Sequence, residues 1–272
     1  MNRSAIVFLD EKGMNELRKS VCEMTWRIAE ILSDCAPSVY LYGSVTLEDF
    51  RPGWSDIDIL VLTKTPISEE QAQKLVHLRQ TLLLEEPGNP HYRAFEGGML
   101  SLDAFLRQTP DTVVYWGTSA ERITSRYQFD SFSRSALLDS GILLFGEDVR
   151  GMLCRPAFDD LKNDVRRHYE SIRQHAQRTG RDLYSYGWLL DIARCLYTLR
   201  TGKIIPKTAA GEWALRESIC PCVEALARAV EVRRKPMKYM QDPSVMDYAE
   251  TLGESVQRFA DVLERELQGV SE

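Results

Sequence analysis

The chain has 272 residues, 44% of them hydrophobic and 27% charged, which is the balance of a globular protein with one large domain or two of ordinary size. Its formal net charge is −6, which argues against a duplex-DNA or RNA binder, since such proteins present a basic face. No apolar run approaches the roughly 18 residues of a membrane span, and the first residues lack a signal-peptide cleavage pattern, so no membrane association and a cytoplasmic location are expected.

Residues 10–34 place Met14, Leu17, Val21, Met24, Ile28 and Ile31 at helical spacing, predicting an amphipathic helix. Val39 to Tyr42 then reads as a short buried strand. Gly43 allows a sharp turn, and Ser44 opens a turn or short helix whose N–H groups and hydroxyl suit phosphate oxygens. A loop over 47–54, with Pro52 and Gly53, leads to a second strand from Ile57 to Leu62. Side chains two apart on a strand share a face, so Asp56 and Asp58 point the same way. Ile57, Ile59, Leu60, Val61 and Leu62 make this run too apolar for a casual surface pair of acids. Two neighbouring carboxylates repel unless a cation joins them, and Mg²⁺ does this while also binding triphosphate oxygens.

Ser68 reads as the N-cap of a helix running to about Leu84, with Glu69 and Glu70 in its first turn. Residues 86–90 end it. Tyr92 to Leu102 reads as a third strand carrying Glu96, whose apolar neighbours make an unpartnered carboxylate costly. Glu96 is therefore the candidate third acid, as proton acceptor or as a further metal ligand; the plain alternative is an acid on an exposed edge strand. Asp103 comes second, but it reads as a helix N-cap. A mixed region with two helical stretches leads to a short final strand at 141–146.

From Phe158 helical patterns dominate: about 158–179, 184–201, 207–218, 220–234 and 244–268, separated at Gly180, Gly202, Pro221, Pro236 and Pro243. The fold class expected is an α/β (α+β) domain with a small mixed sheet over residues 1–155, followed by an all-α helical bundle over 156–272. Cys195 falls in an apolar helical run and reads as core. Cys220 and Cys222 have no second pair and no nearby His, and His77, His91, His168 and His175 lack metal-ligand spacing and read as surface residues.

The Gly43-Ser44 turn followed by Asp56 and Asp58 resembles the nucleotidyltransferase superfamily of the DNA polymerase β type. A second signature lies in the helical half. Asp191-Ile-Ala-Arg194 leads into Thr201-Gly-Lys203-Ile, then Pro206-Lys207, then Ala209-Ala-Gly-Glu-Trp-Ala214. It resembles the matching segment of aminoglycoside adenylyltransferases acting on streptomycin and spectinomycin, and Arg93-Ala-Phe-Glu96 resembles that family's third-acid strand. The resemblance implies that Ser44, Asp56 and Asp58 hold Mg²⁺ and the triphosphate of ATP, with Gly43 shaping the turn. It implies Glu96 as catalytic base, Arg194 and Lys207 as nucleotide ligands, and Lys203 as a helper. The plain alternatives are an intra-helix pair of Arg194 with Asp191 and a solvated Lys207. The implied reaction is AMP transfer to a hydroxyl of a small, cationic acceptor of the aminoglycoside type, with pyrophosphate released. A lincosamide, metabolite or protein acceptor, or a non-catalytic antitoxin-like protein, stands as the alternative. The stretch before Arg194 departs from the family: Tyr184 stands where an acid is expected, and Asp182 is out of register. Those two residues and Trp116, in an aromatic stretch that otherwise reads as core, are the candidate acceptor contacts.

Overall fold

The computed structural model describes residues 14–117 and 120–269. The N-terminal apolar run over 1–10 and the first residues of the helix expected from 10 lie outside them. The chain divides into two compact units. The first comprises Met1–Thr46, Asp56–Phe129 and Ala136–Arg155; the second comprises Leu47–Ser55, Asp130–Ser135 and Pro156–Glu272.

The first unit is built on a six-stranded mixed sheet. Its strands are β1 (Ser38–Tyr42), β2 (Ile57–Thr63), β3 (Phe95–Ser101), β4 (Val113–Trp116), β5 (Glu121–Thr124) and β6 (Ile142–Phe145), in the order β5-β4-β3-β2-β1-β6. Only β2 and β3 are parallel. Their connection contains helix α2 (Glu69–Glu85), as a parallel pair requires. Ser68 caps α2 through a capping box with Gln71. Helix α1 (Asn15–Ile31) packs against α2 and buries Leu17, Val21, Met24 and Ile28, the stripe its periodicity predicts. Leu60, Leu62, Leu100 and Val113 pack on the other face with Phe105 of α3 (Leu102–Arg107) and Ala136 and Leu137 of α4 (Ser131–Ser140).

Three expectations need correction here. The mixed region contains β4 and β5 as well as its helices; β5 carries polar, solvent-facing residues and is a strand because it hydrogen-bonds to β4. Residues Tyr92–Ala94 form a 3₁₀ turn, so the third strand begins at Phe95. The N-cap of α3 is Ser101, whose hydroxyl accepts from the Ala104 N–H at 3.3 Å, and Asp103 instead pairs with Arg107 in the first turn at 3.0 Å. Ser101 is the last extended residue, which is the backbone state a cap needs.

The second unit is helical: α5 (Phe158–His175), α6 (Tyr184–Thr201), α7 (Lys207–Arg216), α8 (Val223–Arg234), α9 (Pro236–Tyr239), α10 (Pro243–Glu250) and α11 (Gly253–Gln268). Helix α6 is almost wholly apolar on several faces and forms the centre of the core, with Tyr186, Leu189, Ile192 and Leu196 fully buried. A Cβ on Gly211 of α7 would lie 2.6 Å from Val230 and 2.8 Å from Leu190, so this glycine sets the close approach of α7 to α6 and α8. The helix expected over 244–268 is two helices, because the chain turns at Thr251 and Leu252 and Gly253 then backs onto the Gln177 carbonyl. Trp54 and Phe132 belong to this core although they lie in segments flanked in sequence by the sheet. His91 and His168 are not surface residues: His91 is buried, and His168 is half-buried with its ring 5.3 Å from Phe132. Burial, then the Arg194 cation, lowers the His168 pKa.

Candidate active site

The acids of the first unit are brought together by strand register. Asp58 on β2 lies opposite Glu96 on β3, and opposite Tyr42 on β1. In a parallel pair, directly paired residues project to the same face, so Asp58 and Glu96 are side-by-side carboxylates. Asp56 stands two residues before Asp58, just ahead of the strand, and all three are half-buried.

Gly43 explains how the preceding turn fits beneath them. It has φ +72°, and a Cβ there would fall 2.0 Å from Asp58 Oδ2. A side chain at 43 would be both conformationally strained and in collision with the acid. Ser44 lies in the turn that follows rather than in a helix, and its hydroxyl donates to the Asp56 carbonyl at 3.2 Å, tying turn to strand.

Two residues of β4 divide the roles expected of the aromatic stretch. Trp116 is fully buried, and its Nε1–H donates to the Leu75 carbonyl at 3.0 Å. It is core against α2 and offers a ligand no surface, which corrects its place among the acceptor contacts. Tyr115 points to the opposite face, that of the acids, and its hydroxyl donates to Glu96 Oε1 at 2.9 Å. Burial first, then the Glu96 charge, pushes the Tyr115 phenol up to about 12, and the nearby Asp56 carboxylate adds to this. The sequence offered Tyr115 only within the aromatic stretch 115–117 and chose Trp116 from it; that Tyr115 is the one facing the acids follows from their alternation once a strand is recognised there. Arg79, buried on the opposite face, donates to the carbonyls of Arg93, Phe95 and Gly117 and stacks 5.8 Å from Trp116, clamping the ends of β3 and β4.

Among the described residues no set of three His, Cys, Asp or Glu side chains converges closely enough to hold a metal ion on protein ligands alone. The donor set is nonetheless the right one for Mg²⁺. That ion keeps several waters, prefers hard oxygen, and is held by one or two carboxylates together with substrate phosphates.

The cationic residues singled out from the sequence form a cluster in the second unit. Asp191 on α6 receives Lys207 Nζ at 2.9 Å and Arg194 at 3.2 Å, so the intra-helix pair of Arg194 is present and Lys207 shares it. Burial raises the Asp191 pKa, but Lys207 and Arg194 outweigh it and hold the carboxyl at about 2. Burial lowers the Lys207 pKa, and Asp191 opposes that. Arg194 also stacks on Phe132 at 5.3 Å. Asp49, from the loop over 47–55, bonds the Thr208 N–H and hydroxyl at the start of α7 and pairs with Arg233 and Arg51. Nothing in the sequence pattern distinguished Asp49 from an ordinary loop acid. Lys203 is exposed just beyond the Gly202 C-cap. Asp182, just ahead of α6, accepts from the Ser185 N–H at 3.0 Å, while Tyr184 is 55% exposed.

Two family models match the chain: "Nucleotidyltransferase domain" over residues 17–91, and "Aminoglycoside adenylyltransferase, C-terminal domain" over residues 157–262. Among solved structures, the fold is similar to that of the spectinomycin adenyltransferase AAD(9) from Enterococcus faecialis, solved with ATP and spectinomycin. The TM-score is 0.65 at 16% sequence identity, covering 90% of this chain and 98% of that one. The similarity of fold therefore extends through nearly the whole of both chains. The first domain match lies on the first unit apart from its residues 47–55, and the second lies within the second unit; the chain is a nucleotidyltransferase that resembles the aminoglycoside adenylyltransferases.

Proposed function

We propose that the protein transfers AMP from ATP to a hydroxyl of an aminoglycoside-type antibiotic and releases pyrophosphate. The observation that carries this reading is the pairing of Asp58 with Glu96 in the register of β2 and β3, beside a Gly43-Ser44 turn that leaves no room for a side chain. Both domain matches support it, and the similar fold solved with ATP and spectinomycin supports the choice of donor and acceptor class.

In this mechanism Glu96 takes the proton of the acceptor hydroxyl. The acceptor oxygen attacks the α-phosphorus, a new O–P bond forms, and the bond to the bridging oxygen breaks with its electron pair leaving on pyrophosphate. Asp56 and Asp58 would hold Mg²⁺, with Glu96 within the same carboxylate set; when bound, the ion supplies positive charge against that developing on the phosphates. The Gly43-Ser44 turn offers backbone N–H groups and a hydroxyl to phosphate oxygens. Arg194 and Lys207 bind nucleotide phosphates. In support, two cations converge on a single carboxylate, Asp191, and a phosphate oxygen can take that carboxylate's place. Lys203 is exposed and serves as a helper cation. The acidic face favours a cationic acceptor, with Tyr184 and Asp182 at the start of α6 as its contacts.

Incubation with Mg-ATP and a panel of spectinomycin, streptomycin and lincosamides tests this, following pyrophosphate release and product mass. An aminoglycoside-type acceptor gaining one AMP is the expected outcome. Modification of a lincosamide alone would replace the acceptor class, and ATP binding without turnover on any member would remove the catalytic reading.

A further inference from the structure

We propose that Tyr115 is a positioning residue for Glu96: its hydroxyl holds one carboxylate oxygen so that the other is presented to the acceptor proton. The inference rests on Glu96 being the base of the proposed reaction, and it concerns a residue that neither motif contains.

A glutamate reaches its carboxylate through three rotatable bonds, so strand register alone fixes where Glu96 starts but not where its oxygens lie. The structure supplies the missing constraint from β4. Tyr115 pairs with Gly98, two residues beyond Glu96 on β3, and thus projects to the same face. Its hydroxyl donates to Glu96 Oε1 at 2.9 Å. An ionised carboxylate is acceptor-only, so the phenol hydroxyl is the donor in this bond.

The Tyr115 ring is itself held. The Arg122 guanidinium, from the paired position on β5, lies 4.8 Å from its centroid. Tyr127 packs 5.9 Å from it, and that ring occupies the space over Gly98, where a Cβ would fall 2.5 Å from Tyr127. Behind β4, Trp116 is anchored to the Leu75 carbonyl, which fixes the strand from its other face. A base must be set to within a fraction of an ångström of the proton it receives, and a rigid aromatic donor achieves this where a flexible side chain would not. In the step itself, the acceptor proton moves to the Glu96 oxygen that Tyr115 does not hold, while the hydroxyl oxygen forms its bond to phosphorus and pyrophosphate departs with the electron pair.

The test is Tyr115→Phe, which keeps the ring against Arg122 and Tyr127 and removes only the hydroxyl, with Glu96→Gln as reference. AMP transfer from Mg-ATP to spectinomycin and to streptomycin is measured for both variants, together with KM for ATP and the melting midpoint. The expected result is a fall in kcat of roughly tenfold to a hundredfold for Tyr115→Phe, in the range of a lost hydrogen bond to a charged group, with KM for ATP and the melting midpoint unchanged. A wild-type kcat in Tyr115→Phe alongside an inactive Glu96→Gln overturns the positioning role and leaves Glu96 as base. A joint rise in KM and drop in melting midpoint also overturns it, since that is what a structural role produces. Full activity in Glu96→Gln, or no transfer to either acceptor by the unaltered protein, overturns the underlying reading and this proposal with it.

Discussion

The acid face of the sheet and the cation cluster of the helical unit handle charge in opposite ways. On the sheet, Asp58 and Glu96 are neighbours of like charge, placed there by backbone pairing, and the adjoining turn has given up its side chain to accommodate them. In the helical unit, Lys207 and Arg194 share Asp191, and Arg233 and Arg51 share Asp49. Like charges held together by a rigid scaffold repel one another, and a bound cation would relieve that repulsion. Opposite charges that meet within one unit stabilise the fold first, and exchange partners only when a better anion arrives. Substitutions should therefore separate activity from stability differently in the two regions.

The largest effect should come from Asp58→Asn, or Asp56→Asn. Either keeps the shape of the side chain and relieves repulsion, so the melting midpoint should hold or rise, while AMP transfer falls by about 10³-fold through loss of several kcal/mol of charge stabilisation. Kinetics and thermal melting on the same preparation check both halves, and near-wild-type turnover in either variant would sink the mechanism.

Asp191→Ala should do the reverse, because it leaves Lys207 and Arg194 without their carboxylate. A loss of about 3–5 kcal/mol in unfolding free energy is expected by denaturant titration. The same pair predicts a pH dependence. The folded-state pKa of Asp191 is depressed from 3.8 to about 2, so its contribution is fully present above about pH 4 and is lost as pH falls toward 2. Acid titration of the melting midpoint should show that loss in the unaltered protein, and a smaller one in Asp191→Ala.

Gly43→Ala should cost less stability than Asp191→Ala, about 1–3 kcal/mol for a side chain at positive φ, but with an added loss of activity because its methyl displaces Asp58. If the variant melted earlier yet turned over normally, the close contact between turn and acid would have no catalytic meaning.

Much of this was legible beforehand where the signal is local. Helix α6 occupies the span its periodicity and the flanking Gly180 and Gly202 predict, and Ser68 caps α2 as its pattern requires. The two-residue spacing of Asp56 and Asp58 was legible as well, although Asp56 lies just ahead of β2 and not on it. Strands β4 and β5 were not legible, since four-residue strands carry too little pattern and β5 depends on its neighbour's hydrogen bonds. The break between α10 and α11 depends on Gly253 meeting Gln177, a contact between residues far apart in sequence. His91 and His168 read as surface residues because nothing local to them shows what covers them.

By itself the sequence determined the periodic elements, the Gly43-Ser44 turn and the acids at the start of β2, because each depends on residues a few positions apart. Tertiary structure decided the rest. Strand register set Glu96 beside Asp58, and β4 turned Tyr115 rather than Trp116 toward them. Asp191 gathered two cations from different helices, and Asp49 tied its loop to α7 and α8. Register and long-range pairing are set by which surfaces bury one another, and no short window of sequence contains both surfaces.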